Sequence, residues 1–307
     1  MQDFVERLRA KRLLVADGAW GTELSRRGLQ AGEAPERMNI ERPEAVRAVA
    51  AAYVEAGADV ILTNTFGGTR LKLEKAGLEG KLVEINRRGV ELSREAAGKA
   101  LVFPSIGPTG ELMEPLGALT EAQMVACFAE QIQALLLGKP DGLLVESMSD
   151  LGEAKAALRA ARENCRLEVI ISMTFARGAR GYATFMGVRP EVAARELEAA
   201  GADVVGANCG SGIVDMIEVT RLMRKATKLP LWIKPNAGLP QLEGGKTVFT
   251  ETPEMMVKHL PALVAAGASI VGGCCGTTPE HIRLMALEAE RLRRNLELRN
   301  SGKSQRP

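Results

Sequence analysis

The segment GGCCGTTPEH, residues 272–281, places two adjacent cysteines between glycines and follows them with a helix start. Neighbouring thiols suit a strained vicinal disulfide or a shared metal ion, and the choice depends on what the chain brings next to them. A third thiol, Cys209, closes the run DVVGANC. Adjacent residues on a regular strand point to opposite sides. Cys274 and Cys275 can therefore share an ion only where the strand has ended and the backbone turns, a freedom that Gly272, Gly273 and Gly276 supply. Three thiolates leave a tetrahedral zinc one open position, the arrangement of a catalytic rather than a structural site. Their softness favours zinc over magnesium or calcium. The other two cysteines read as structural, Cys127 on an apolar helix pattern and Cys165 at a helix end. Neither His259 nor His281 ends a strand, so imidazole is not expected at the site.

Three thiolates make the metal centre anionic, which suits it poorly to activating water and well to holding a substrate thiol as thiolate. A free thiol has a pKa near ~8.5, and coordination removes the proton outright. The electron-rich sulfur can then attack an electrophilic carbon, typically a methyl group. Asp17 ends the run RLLVAD and Glu146 lies at the end of GLLVES. Together they could grip an ammonium group, while amides of the loop after Asp17 could receive a carboxylate. A thiol borne on an amino acid is the substrate this suggests. Each acid is equally readable as an ion pair or a helix cap. The cysteine pair also has two plainer readings, a redox switch or small buried hydrophobes.

The elements that must position these residues recur along the chain. Apolar, β-branched runs stand at 12–17, 60–65, 101–106, 142–147, 168–175, 203–209, 230–236 and 269–275, separated by segments of helical period. Several of those segments close on glycine, as at Gly57, Gly201 and Gly267. Eight alternating units predict a (β/α)8 TIM barrel with its chemistry at the carboxyl ends of the strands. A doubly wound open sheet is the competitor, but DGAWGT after the first run lacks the G-x-G-x-x-G spacing. The barrel is expected over residues 1–290, with 291–307 a polar, basic tail or linker.

Composition narrows the classes further. The 307 residues carry a formal net charge of +2, which gives no basic stripe for nucleic acid. No apolar run is long enough to span a bilayer, and the first residues lack the apolar core of a signal peptide. Five unevenly spaced cysteines predict reduced thiols in a cytoplasm.

GANCGSG around Cys209, with GGCCGTTPEHI, resembles the homocysteine S-methyltransferase family. ADGAWGTEL (16–24), ADVILTNTFGGTR (58–70), IGPTGEL (106–112) and PNAGLP (235–240) extend the likeness over about residues 12 to 290. Within that family the last two phrases are most similar to the homocysteine-binding module of cobalamin-dependent methionine synthase. The resemblance implies zinc on Cys209, Cys274 and Cys275, and the homocysteine amino group on Asp17 and Glu146. Gly18, Ala19, Ser147 and Asn208 are expected around the substrate, and Asn236 as an exchangeable metal ligand. Trp20, Thr65 and Phe66 are expected on the donor side. The methyl donor implied is methylcobalamin on a separate corrinoid-binding protein or module, with a methyltetrahydrofolate-binding module beside it. Two readings compete: a stand-alone enzyme using S-methylmethionine or a betaine, and a non-catalytic zinc or thiol-redox module.

Overall fold

A computed structural model describes residues 4–243 and 246–303. The eight apolar runs form eight parallel staves: β1 (Leu14–Val15), β2 (Val60–Ile61), β3 (Leu101–Val102, continued at Ser105–Ile106), β4 (Leu143–Met148), β5 (Val169–Met173), β6 (Val204–Asn208), β7 (Leu231–Lys234) and β8 (Ile270–Val271). Seven segments pair into one curled parallel sheet, running from β1 through β8, β7, β6, β5 and β4 to Ser105–Ile106. Val60–Ile61 pairs with Leu101–Val102, and a bridge from Ala16 to Val60 joins β1 to β2. The circuit is thereby closed as a TIM-type barrel. β3 is split because Pro104 has no N–H to give a ladder. Its first half therefore bonds β2 and its second half β4.

Side-chain parity separates two apolar layers. Leu14, Val60, Leu101, Leu144, Ile170, Val204, Trp232 and Ile270 fill the interior. Their neighbours Val15, Ile61, Val102, Val145, Ile171, Val205, Ile233 and Val271 pack against the outer helices. Such strands, buried on both faces, read as continuous apolar runs. The helix Phe4–Lys11 plugs the amino end of the barrel, where the Phe4 and Phe103 rings lie 5.1 Å apart.

The boundary expected at about residue 290 falls inside a helix, Pro279–Lys303. Arg293 on that helix donates to the Leu13 carbonyl (2.8 Å) and to Asp59 Oδ2 (2.5 Å). The basic character read as a tail is, at this position, an anchor to the barrel.

Candidate metal and substrate site

Following the interior parity one step toward the carboxyl ends replaces apolar side chains by polar ones. Leu144 is followed on the same face by Glu146, Ile170 by Ser172, and Trp232 by Lys234. Above this layer a cavity of about 540 Å³ opens between the strand ends. Gly18, Ala19, Trp20, Phe66, Glu146, Ser147, Lys234 and all three rim cysteines line it. Its size falls within the range of small-molecule pockets.

The cysteines meet at one end. β8 finishes at Val271, so Cys274 and Cys275 sit on the turn beyond it, where Gly276 adopts φ +80°. Cys209 follows β6 directly, also in the left-handed region at φ +60°, and Ser147, near the end of β4, is likewise at φ +63°. Non-glycine residues pay about 1–3 kcal/mol for such backbone and persist where surroundings hold them. Here the Cys209 amide donates to the Lys234 carbonyl (3.2 Å), and the Ser147 amide to Asn208 Oδ1 (3.0 Å).

Cys209 Sγ and Cys275 Sγ are 3.8 Å apart, and all three sulfurs lie within 4.8 Å of one another. Among the described residues no other group of His, Cys, Asp and Glu converges this way. Zinc–sulfur bonds of about 2.3 Å in a tetrahedron set the sulfurs about 3.8 Å apart, so the cluster fits that ion. Hydrogen bonds from Cys274, then Cys275, pull the Cys209 thiol far down, and the same contacts with Cys209 push Cys274 and Cys275 up. One negative charge is readily held, and a cation is needed to hold three. The Asn236 side chain also contributes to lowering the Cys209 thiol. Its buried Oδ1 accepts no hydrogen bond from any described group, which suits an atom beside a metal position.

The two acids differ in role. Glu146 lines the cavity; its Oε1 accepts from Ser105 Oγ (2.5 Å), and burial raises its pKa against the opposing pull of Lys234. Asp17 is fully buried and does not line the cavity. Its Oδ1 accepts from Lys234 Nζ (2.7 Å), and its Oδ2 from Trp20 Nε1 and the Leu62 amide (both 2.7 Å). Burial would push Lys234 down, but Asp17 and then Glu146 more than offset it and hold it as an ammonium. Asn208 also lies behind the wall. Its side chain bonds Ser147 Oγ (2.7 Å) and Ser172 Oγ (2.6 Å) and braces three strands. The Ala19 amide donates to Thr277 Oγ1 (3.1 Å), and Thr65 Oγ1 to the Ser105 carbonyl (2.8 Å).

Sequence reasoning passed over Lys234 and Ser105. The signal was present for Lys234: a charge in the run PLWIKPN, on the same parity as an inward tryptophan.

A closed parallel barrel with three converging thiols and a buried ion pair at its carboxyl rim defines a barrel with a candidate metal site. Residues 14–289 match the family described as homocysteine S-methyltransferase. The chain belongs to that family. It is 33% identical over 311 residues to a methionine synthase of Mycobacterium leprae (strain TN), covering 94% of this chain and 25% of the relative. A methionine synthase of Mycobacterium tuberculosis (strain ATCC 25618 / H37Rv) is 31% identical over 313 residues, covering 93% and 25%. The chain thus spans about a quarter of the length of these relatives. The metallated form of the homocysteine methyltransferase MmuM from Escherichia coli superposes with a TM-score of 0.77 at 25% identity, over 92% of this chain and 98% of that one.

Proposed function

We propose that this chain takes homocysteine as methyl acceptor and yields methionine, with zinc held by Cys209, Cys274 and Cys275 and the methyl group supplied by a methylcorrinoid on a separate module. The observation that carries this reading is the convergence of three sulfurs, all within 4.8 Å of one another, on a cavity walled by Glu146 and Lys234. Zinc in that position supplies deprotonation of the substrate thiol at neutral pH. Glu146 offers the carboxylate that receives the substrate ammonium, with Ser105 fixing its orientation. The rest of the protein holds these groups in place before the substrate arrives, and Asn208 keeps the Ser147 and Cys274 segments in register. Trp20 and Phe66 line the same cavity. The methionine synthase relatives, closer in identity than MmuM, support the corrinoid donor.

One observation favours a second donor. The cavity is larger than a single small amino acid requires, and Trp20 and Phe66 line it, as a sulfonium such as S-methylmethionine would need. Methionine formation by zinc-loaded protein from homocysteine, with methylcobalamin or S-methylmethionine in parallel, separates the two. Turnover with methylcobalamin alone is expected; turnover with S-methylmethionine alone would overturn the choice of donor. Retained activity in fully zinc-free protein would overturn the role of the thiols.

A further inference from the structure

A carboxamide carries two N–H donors and one carbonyl acceptor, and which end faces which partner is read from the hydrogen-bond network. Asn208, the last residue of β6, is fully buried on the interior parity that Val204 sets. Its Oδ1 receives two hydrogen bonds, from the Ser147 main-chain amide (3.0 Å) and from Ser172 Oγ (2.6 Å). A main-chain N–H can only donate, so this contact fixes the orientation of the carboxamide. The NH2 group faces the other way, toward Ser147 Oγ (2.7 Å) and Cys274 Sγ (3.8 Å). Leaving a buried N–H unpaired costs about 1–3 kcal/mol. Ser147 Oγ takes one proton, and the Cys274 sulfur is the described acceptor for the other. The left-handed backbone of Ser147 serves the same contact, because it turns the amide and the hydroxyl of one residue onto one carboxamide.

We infer that Asn208 is a positioning residue that donates an N–H···S hydrogen bond to Cys274, holding that sulfur in place and damping its nucleophilicity. The assignment rests on the proposal that the three thiols hold zinc, and adds how one of them is kept from competing with the substrate. With homocysteine bound, four sulfurs are present and only the substrate's is to receive the methyl group. A hydrogen bond to a thiolate stabilises its charge, and a more stable thiolate is a weaker nucleophile. A side chain that merely braced β4 against β6 would make the same contacts through its oxygen, with no bearing on the sulfur.

Nuclear magnetic resonance of the wild type loaded with a spin-active cadmium isotope tests the bond directly, since scalar coupling from the metal to an amide proton travels through an N–H···S contact. One proton of the Asn208 side chain is expected to show that coupling, and its absence overturns the assignment. Reactivity is read with iodoacetamide on the zinc-loaded protein, which alkylates sulfur with loss of iodide, and peptide mass locates the modified cysteine. Asn208→Asp keeps an acceptor for the Ser147 amide and Ser172 while removing the N–H. It should raise alkylation of Cys274 about tenfold to a hundredfold, the range for a charge-assisted hydrogen bond. Asn208→Leu removes the N–H without adding charge and should raise it too. Ser172→Ala loosens the same carboxamide but leaves its N–H, and should react as the wild type does. Equal increases at Cys209, Cys274 and Cys275, or an increase in Asn208→Asp alone, overturn the assignment. Should Asn208→Leu fail to fold, the cadmium coupling in the wild type still decides. A wild type that binds neither cadmium nor zinc would overturn the functional proposal first, and this inference with it.

Discussion

Each of the three thiols is expected to be indispensable, because a cation held by two sulfurs and solvent loses the charge balance of the cluster. Residues that only touch metal ligands typically cost 10–100-fold in metal affinity when replaced. Cys209→Ala, Cys274→Ala and Cys275→Ala should therefore each lower zinc affinity by more than about a hundredfold, measured by competition with a chelating dye, and abolish methionine formation together. Glu146 gives a graded outcome. Burial raises its pKa, so the ionised form that holds an ammonium is present above the raised value and is lost as pH falls through it. Homocysteine affinity should decline on the acid side with a one-proton slope. In Glu146→Gln the affinity should be about tenfold to a hundredfold weaker and that slope should vanish, with zinc content unchanged.

The turn after β8 is the element on which the site depends, and two of its contacts are testable. Gly276, at φ +80°, faces Phe249 so closely that a Cβ would lie 2.2 Å from the ring. Gly276→Ala combines a strained backbone with a clash and should loosen the Cys274–Cys275 turn, lowering zinc affinity with little change in overall melting. His281 secures the same turn from the helix side. Its Nδ1 accepts from the Thr278 amide (3.1 Å), which leaves Nε2 to donate to the Glu251 carbonyl (3.1 Å). Burial lowers its pKa from 6.5, so the neutral ring's stabilisation is complete above the unfolded value and is lost as pH falls through the folded one. His281→Ala should cost about 1 kcal/mol near neutral pH, and that difference from the wild type should shrink at about pH 5, read from urea midpoints.

Eight staves were legible from sequence because strands buried on both faces are near-continuous apolar runs, and the cysteines were legible because paired thiols between glycines are rare. The pairing of Asp17 with Lys234 was not. It depends on which way a chain turns after a strand only two residues long, and on a lysine inside an apolar run whose partner is 217 residues distant. Nor did the sequence reveal that Arg293 belongs to the barrel, since its partners, the Leu13 carbonyl and Asp59, lie at the other end of the chain.

At the scale of the whole molecule, stability and chemistry occupy opposite faces of the barrel. Asp59, just before β2, gathers Lys11 Nζ (2.5 Å), Arg293 Nη2 (2.5 Å) and the Val15 amide (3.0 Å). The first helix, β1 and the last helix are thereby tied together at the amino end, far in the fold from the thiols at the carboxyl rim. Conservation of stability rather than of activity is the expected role of that face. Asp59→Asn keeps an acceptor for the Val15 amide and removes the charge. The partly exposed Lys11 and Arg293 can regain water, so the cost should stay near about 1–3 kcal/mol rather than that of a fully buried pair. Denaturant unfolding should show the lower midpoint, while zinc stoichiometry and homocysteine affinity of the folded protein remain those of the wild type. A loss of zinc in parallel with the loss of stability would show that the two faces are coupled through the strands.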